Sequence, residues 1–226
     1  MNQKLDNPVW YSLAETQAHA AISYDGVKCY HPHFCPFGGY IHAGKTAEAI
    51  DEYAKLVSDF YIVGNRPQFS AGVYLSKELV CNQMLLENLI DVSLTDPITT
   101  LTPAHADELY NLVNLVQPGY FKRSTYQLGA YYGIFKNNEL VAVTGERMKM
   151  DGFTEISAVV THPSHTGKGY AKQLVAHTAQ AIFTQNRIPY LHVAETNTGA
   201  ISLYEKLGFK TRRKISFWNF KLTADR

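Results

Sequence analysis

Gly167-Lys168-Gly169 lies between a β-patterned run ending at Thr161 and a helix-patterned run opening at Tyr170. A strand-to-helix turn that lacks two Cβ atoms leaves backbone N–H groups bare at the positive end of a helix dipole, an arrangement suited to a pyrophosphate. Lys168 adds positive charge to the loop. Two nucleotide-binding patterns fail here: a dinucleotide fingerprint wants a third glycine where Lys172 stands, and a Walker loop wants Ser or Thr where Gly169 stands. Further along, Asn197-Thr198-Gly199-Ala200-Ile201-Ser202-Leu203-Tyr204 sets a small residue and a phenol four apart, on one face of a helix.

The order strand, His162-Pro163, Gly167-Lys168-Gly169-Tyr170-Ala171 and amphipathic helix resembles motif A of the GCN5-related N-acetyltransferase (GNAT) superfamily. Asn197, Ala200, Leu203, Tyr204, Lys206, Gly208 and Phe209 resemble its motif B. The run from Glu155 to Pro163, with Tyr190-Leu191-His192-Val193, looks like the FR47-like branch, which includes two-domain members. The resemblance covers about residues 98–222. It implies acetyl-CoA as co-substrate, with no metal. The loop Thr166, Gly167, Lys168, Gly169, Tyr170 and Ala171 would hold the diphosphate, and Val159, Val160 and Thr161 would pair with the pantetheine arm as an added strand. Asn197, Ala200 and Tyr204 would border that arm. Ser164 stands at the first position of the family's Gln/Arg-x-x-Gly-x-Gly/Ala, and Thr166 stands where arginine is frequent, so a backbone cradle is what carries over.

The implied reaction is transfer of an acetyl group to a primary amine by direct attack in a ternary complex. Backbone N–H groups at a bulge near Val159 or Val160 are the expected oxyanion donors. Aminolysis of a thioester expels a thiolate, and a phenol in reach can protonate it, which makes Tyr204 the candidate acid. Glu155, on the strand leading to the loop, is the candidate base, with Glu146 as second choice. Alternatives left open are a CoA-binding regulatory domain without chemistry, and an N-acyltransferase using another acyl-CoA or an amino-acid acceptor.

The elements that must position these residues read as an α/β (α+β) chain: a central mixed, mostly antiparallel twisted sheet flanked by helices. Leu94-Thr95-Asp96-Pro97 suggests a boundary between a smaller N-terminal α/β domain, residues 1–95 and a degenerate counterpart of the second, and a catalytic domain, residues 96–226. In the first half, helices are expected near residues 10–18, from Thr46 as N-cap to Phe60, and over residues 78–90, with an irregular stretch over 26–44 and a short strand over 60–63. In the second, Ile98 to Leu101 reads as a strand and Thr102-Pro103 as a helix start whose buried face holds Leu109, Leu112 and Val113. A meander follows over 131–135, 140–150 and 153–161, then a helix after the glycine loop, a strand over 190–194, a helix stopped by Gly208 and one or two closing strands. Gln117-Pro118-Gly119-Tyr120-Phe121, with Tyr126-Gln127-Leu128-Gly129, is expected to shape the acceptor side.

At 226 residues the chain can bury a sizeable core. Its 46% apolar and 18% charged residues are those of an ordinary globular protein, without an apolar run long enough to span a membrane. A net charge of +1 provides no basic field for nucleic acid, so the expected partner is a small-molecule or peptide amine, with no nucleic acid and no membrane. A homodimer is compatible with the sequence. The N-terminus lacks the apolar core of a signal peptide, so the expected location is cytoplasmic, and three cysteines do not suggest a disulfide framework. Cys29-Tyr30-His31-Pro32-His33-Phe34-Cys35 alternates potential ligands, but its two-proline neighbourhood lacks paired Cys-x-x-Cys spacing and favours loop packing over zinc. Arg212-Arg213-Lys214 could meet a CoA 3′-phosphate or form a solvated strand end.

Overall fold

The computed structural model describes residues 2–88 and 91–223. Five strands precede the expected boundary: β1 (Ala21–Tyr24), β2 (Val27–Tyr30), β3 (Phe37–Tyr40), β4 (Asp59–Val63) and β5 (Val73–Leu85). Six follow it: β6 (Thr99–Thr100), β7 (Tyr131–Lys136), β8 (Glu139–Met150), β9 (Phe153–Thr161), β10 (Ile188–Ala194) and β11 (Lys210–Leu222). All join one 11-stranded sheet in the order β1-β2-β3-β4-β11-β5-β10-β9-β8-β7-β6. Only β3 with β4 and β9 with β10 run parallel, so the sheet is mixed and mostly antiparallel, as the sequence led us to expect. Helices α1 (Pro8–Ala14), α2 (Ala47–Ala54), α3 (Ala106–Val116), α4 (Tyr170–Thr184) and α5 (Thr198–Lys206) flank it.

Local chemistry explains the elements nearest the loop. Asn137 and Asn138 both take positive φ, 52° and 64°, which suits the two-residue turn between β7 and β8. Thr102 and His105 form a reciprocal capping box around Pro103, and α3 follows. The period of α4 brings Leu174, Val175, Ala179 and Ile182 to one face with no exposed area. Val175, Ala179 and Ile182 pack with Ile156 of β9 and Leu191 of β10, so α4 holds the two parallel strands beneath it.

Several expectations for the first half are corrected. The run read as a helix over 78–90 is instead the end of β5, and its last two positions lie outside the described residues. A strand forms because β5 is paired on both edges, with β11 on one side and β10 on the other, and tertiary pairing overrides local pattern. The stretch read as irregular holds β2 and β3, where Gly38 and Gly39 admit close neighbours: a Cβ on Gly39 would stand 2.6 Å from the Trp10 nitrogen. Helix α1 spans Pro8–Ala14 and α2 ends at Ala54, both shorter than expected. Thr46 stands at the N-cap of α2, but its hydroxyl donates to the carbonyls of Ala43 and Gln68. The sheet also runs unbroken past Leu94–Pro97, since β5 of the first half lies between β10 and β11 of the second.

Two bulges interrupt the β8–β9 ladder. Glu146 faces Ile156 and Lys149 faces Thr154, so Arg147 and Met148 together oppose Glu155. Four residues on, Val143 faces Val160 and Gly145 faces Ser157, so Ala158 and Val159 together oppose Thr144. Ala158 adopts φ 52°, a left-handed conformation that costs a non-glycine residue roughly 1–2 kcal/mol. We expect Ala158→Gly to fold with stability within ~0.5 kcal/mol of the parent or above it, whereas the stiff Cβ of Ala158→Val costs about 1–3 kcal/mol by denaturant unfolding.

Candidate active site

The pairing of β9 with β10 runs from Phe153 opposite Ile188 to Glu155 opposite Tyr190 and then stops. Beyond that fork, residues 156–161 of β9 have no strand partner on the β10 side among the described residues, which leaves an open strand edge inside the sheet. A cavity of about 200 Å³ occupies the fork. Ser157, Ala158 and Val159 line it from β9, and Asn197, Ala200 and Tyr204 line it from α5 and its cap. The structure thus sets the bulge, at Ala158 and Val159, beside the motif B residues Asn197, Ala200 and Tyr204.

The glycine loop lies at the far end of β9 and outside the cavity wall. Gly167 and Gly169 take φ 76° and 77°, with nothing within 4 Å of where a Cβ would stand. The N–H groups of Gly167 through Lys172 have no partner among the described residues; the first bond of α4 is Gln173 N–H to Gly169 O, 3.3 Å. These bare donors fit a diphosphate. Lys168 is exposed, with Nζ 3.4 Å from His165 Nδ1, and Thr166 Oγ1 donates to Pro163 O. Val160 and Tyr170 turn their side chains into the core, so only their backbones can serve a ligand, and Thr161 closes the strand. Ala171 lies in the first turn of α4.

Asn197 caps α5 through Oδ1, which accepts from Ala200 N–H at 3.1 Å. Four residues beyond Ala200, Tyr204 is only 7% exposed, and its hydroxyl has no hydrogen-bond partner among the described residues. Burial pushes this phenol up to about 12, so it stays a proton donor at neutral pH.

Glu155 is not a free base. Arg147 Nε and Nη2 donate to its two oxygens at 2.8 Å each, His192 Nδ1 stands 2.8 Å from Oε1, and Met148 N–H reaches Oε2 at 3.3 Å across the bulge. Burial alone would push this carboxyl up; the charge and hydrogen bonds of Arg147, with the hydrogen bond from His192, outweigh it and hold it down to about 2. A carboxylate so stabilised has little appetite for a proton, which corrects the expectation that Glu155 deprotonates the amine. Glu146, the second choice, is fully buried outside the cavity, where it accepts from Lys149 Nζ at 2.6 Å.

Behind this pair stand residues that sequence reasoning missed. Gln83 Oε1 accepts from Arg212 Nη1 at 3.0 Å, which forces Gln83 Nε2 toward Leu5 O and His192 Nε2. His192 Nε2 therefore accepts, and its hydrogen sits on Nδ1, toward Glu155. Gln17 Nε2 donates to Arg147 O, and Arg147 packs over the Phe37 ring at 4.7 Å. The first half thus holds the bulge in place. Of the two runs read as shaping the acceptor side, Gln117, Tyr120 and Phe121 line the cavity and residues 126–129 do not.

Other expectations lie apart from the cavity. Arg212 and Arg213 both pair with Asp6, and Lys214 with Glu195, so that run is taken up in ion pairs. Cys29 and Cys35 are buried free thiols, and no group of three or more His, Cys, Asp or Glu among the described residues could hold a metal. No helix among the described residues is long and apolar enough to cross a membrane.

Comparison with known proteins agrees with this geometry. The family described as FR47-like protein matches residues 131–218, which hold the fork, the glycine loop and Tyr204. A GNAT-family protein of solved structure from Novosphingobium aromaticivorans is 27% identical, with a TM-score of 0.89 over 98% of this chain and 99% of that one. A GCN5-related N-acetyltransferase-like protein from Streptococcus suis shares the fold at 14% identity, with a TM-score of 0.63 over 93% of this chain and 92% of that one. A tandem GNAT protein from the clavulanic acid biosynthesis pathway does so at 15% identity, with a TM-score of 0.53 over 85% and 77%. No curated protein matches this sequence. With bare loop donors, forked strands and a buried phenol in one fold, the chain has the fold of the GNAT proteins, and residues 131–218 match the FR47-like family.

Proposed function

We propose that the chain is an N-acetyltransferase that passes the acetyl group of acetyl-CoA to a primary amine by direct attack in a ternary complex. The observation that carries this reading is the unpartnered row of N–H groups from Gly167 to Lys172, at the end of a strand whose other stretch borders the Tyr204 cavity. Acetyl-CoA, when bound, supplies the acyl group as a thioester. The loop donors would hold its diphosphate, and the open edge of β9 at Val159 to Thr161 would pair with its amides. Backbone N–H groups at the Ala158–Val159 bulge would stabilise the oxyanion, and Tyr204 would protonate the departing sulfur. Asn197 and Ala200 fix the phenol's helix and leave room beside it. Glu155 keeps Arg147, His192 and the β8 bulge in register.

The first half repeats the order strand, helix, parallel strand in β3, α2 and β4, as β9, α4 and β10 do in the second. We take it as the degenerate counterpart of the catalytic half.

Replacing Tyr204 with Phe is expected to lower kcat by about 10²–10⁴-fold while calorimetric affinity for CoA stays the same; an unchanged kcat removes Tyr204 from the reaction. For Gly169→Val, a side chain is forced into positive φ beside the bare donors, and the Kd for CoA should rise by ~10-fold or more, about 1.4 kcal/mol. An unaltered Kd would overturn the diphosphate assignment.

The acid limb of stability follows from Glu155. Its folded pKa is depressed, so its contribution is complete above the unfolded value near 4.5 and is lost as pH falls towards about 2. Glu155→Gln leaves Arg147 buried without its counter-charge. A loss of about 3–5 kcal/mol by urea unfolding at pH 7 is expected, shrinking as the pH of the comparison drops below the unfolded value.

A further inference from the structure

Charged side chains are sparse in the cavity wall. Arg147 and Glu155 are the only Asp, Glu, Lys or Arg side chains in its wall among the described residues. Each Glu155 oxygen already takes two contacts, Oε1 from Arg147 Nη2 and His192 Nδ1, Oε2 from Arg147 Nε and Met148 N–H. A carboxylate has about four lone-pair sites, so Glu155 has none left for an ammonium. Arg147 is different. Its Nε–H and one Nη2 hydrogen go to Glu155, while Nη1 has no partner among the described residues. A planar guanidinium held along one edge still presents the donors of its other edge, in a fork that matches a carboxylate.

Resting on the acyl-transfer reading of this same site, we propose that the acceptor amine carries its own carboxylate, as a compact free amino acid does, and that the open edge of Arg147 binds that carboxylate. The Phe37 ring beneath the guanidinium and the Gln17 bond to the Arg147 carbonyl fix the fork before the acceptor arrives, so little ordering is lost on binding. A cavity of about 200 Å³ favours a small acceptor, and the rings of Tyr120, Phe121 and Phe217 in its wall accept an apolar side chain. Polycationic acceptors would find no unspent acceptor carboxylate there.

The step balances without a further reactant. The neutral amine nitrogen bonds to the acyl carbon and gives up one proton to solvent; the carbon–sulfur bond breaks, sulfur leaves with the electron pair, and Tyr204 protonates it. The phenolate recovers its proton from solvent. The product is an N-acetyl amino acid whose carboxylate is unchanged.

The test compares the twenty standard amino acids with their carboxamides on the full chain, by thiol release from acetyl-CoA and by calorimetry on the CoA-loaded protein. At least one amino acid should react, with kcat/KM on the order of 10- to 100-fold above its carboxamide. In Arg147→Lys, which keeps a charge opposite Glu155 but loses the planar fork, the ratio of kcat/KM for the acid to that for its carboxamide should fall towards one, whatever the change in overall rate. Carboxamides reacting as well as the acids would overturn the proposal and leave acetyl transfer standing. If neither acids nor carboxamides release thiol, calorimetry decides: binding of an acid but not its carboxamide supports the Arg147 fork, and binding of neither overturns it.

Discussion

A fully buried carboxylate on the middle strand of three governs this structure. Glu155 links β8 through Arg147 and Met148 and β10 through His192, at the last residue where β9 and β10 are paired. Removing a carboxylate from water is costly unless its lone pairs are filled, and here each is filled from a neighbouring strand. The β8 bulge exists where it does because two residues must face Glu155, one with its side chain and one with its N–H. The fork opens immediately beyond this clamp, so the same contact that closes the sheet on one side sets where it parts on the other.

From that fork, two kinds of chemistry lie along one strand. Towards its end, backbone donors of the Gly167–Lys172 stretch face outward because glycines and a helix start leave them unpaired. Near its middle, side chains from β8, β10 and α5 border the cavity. The first half of the chain contributes to the second region and not to the first: Gln17 satisfies the Arg147 carbonyl, Phe37 supports the guanidinium, and Gln83 fixes His192. The part of the sequence with the weakest motif therefore shapes the cavity wall.

What could be read in the sequence was what local chemistry specifies. The glycine loop, the Asn197 cap, the Ala200 and Tyr204 spacing and the β7–β8–β9 meander depend on residues a few positions apart, and the structure retains them. β5 does not read as a strand because its pairing partners lie far along the chain, and the role of Arg147 is hidden because a bulge changes which way a strand residue faces. Glu155 was noticed for its place on the strand leading to the loop, but its partners, and hence its charge state, depend on three strands meeting. Sequence spacing cannot register that meeting.

The position of β11 carries one more consequence. It runs between β4 and β5 but follows β10 in the chain, so the two flanks of the sheet cannot be bridged until residues 210–222 have left the ribosome. Contacts of such long sequence separation make assembly slow and leave strand edges bare in the interim. During biogenesis this protein should depend on chaperone shielding far more than an acetyltransferase fold of half its length.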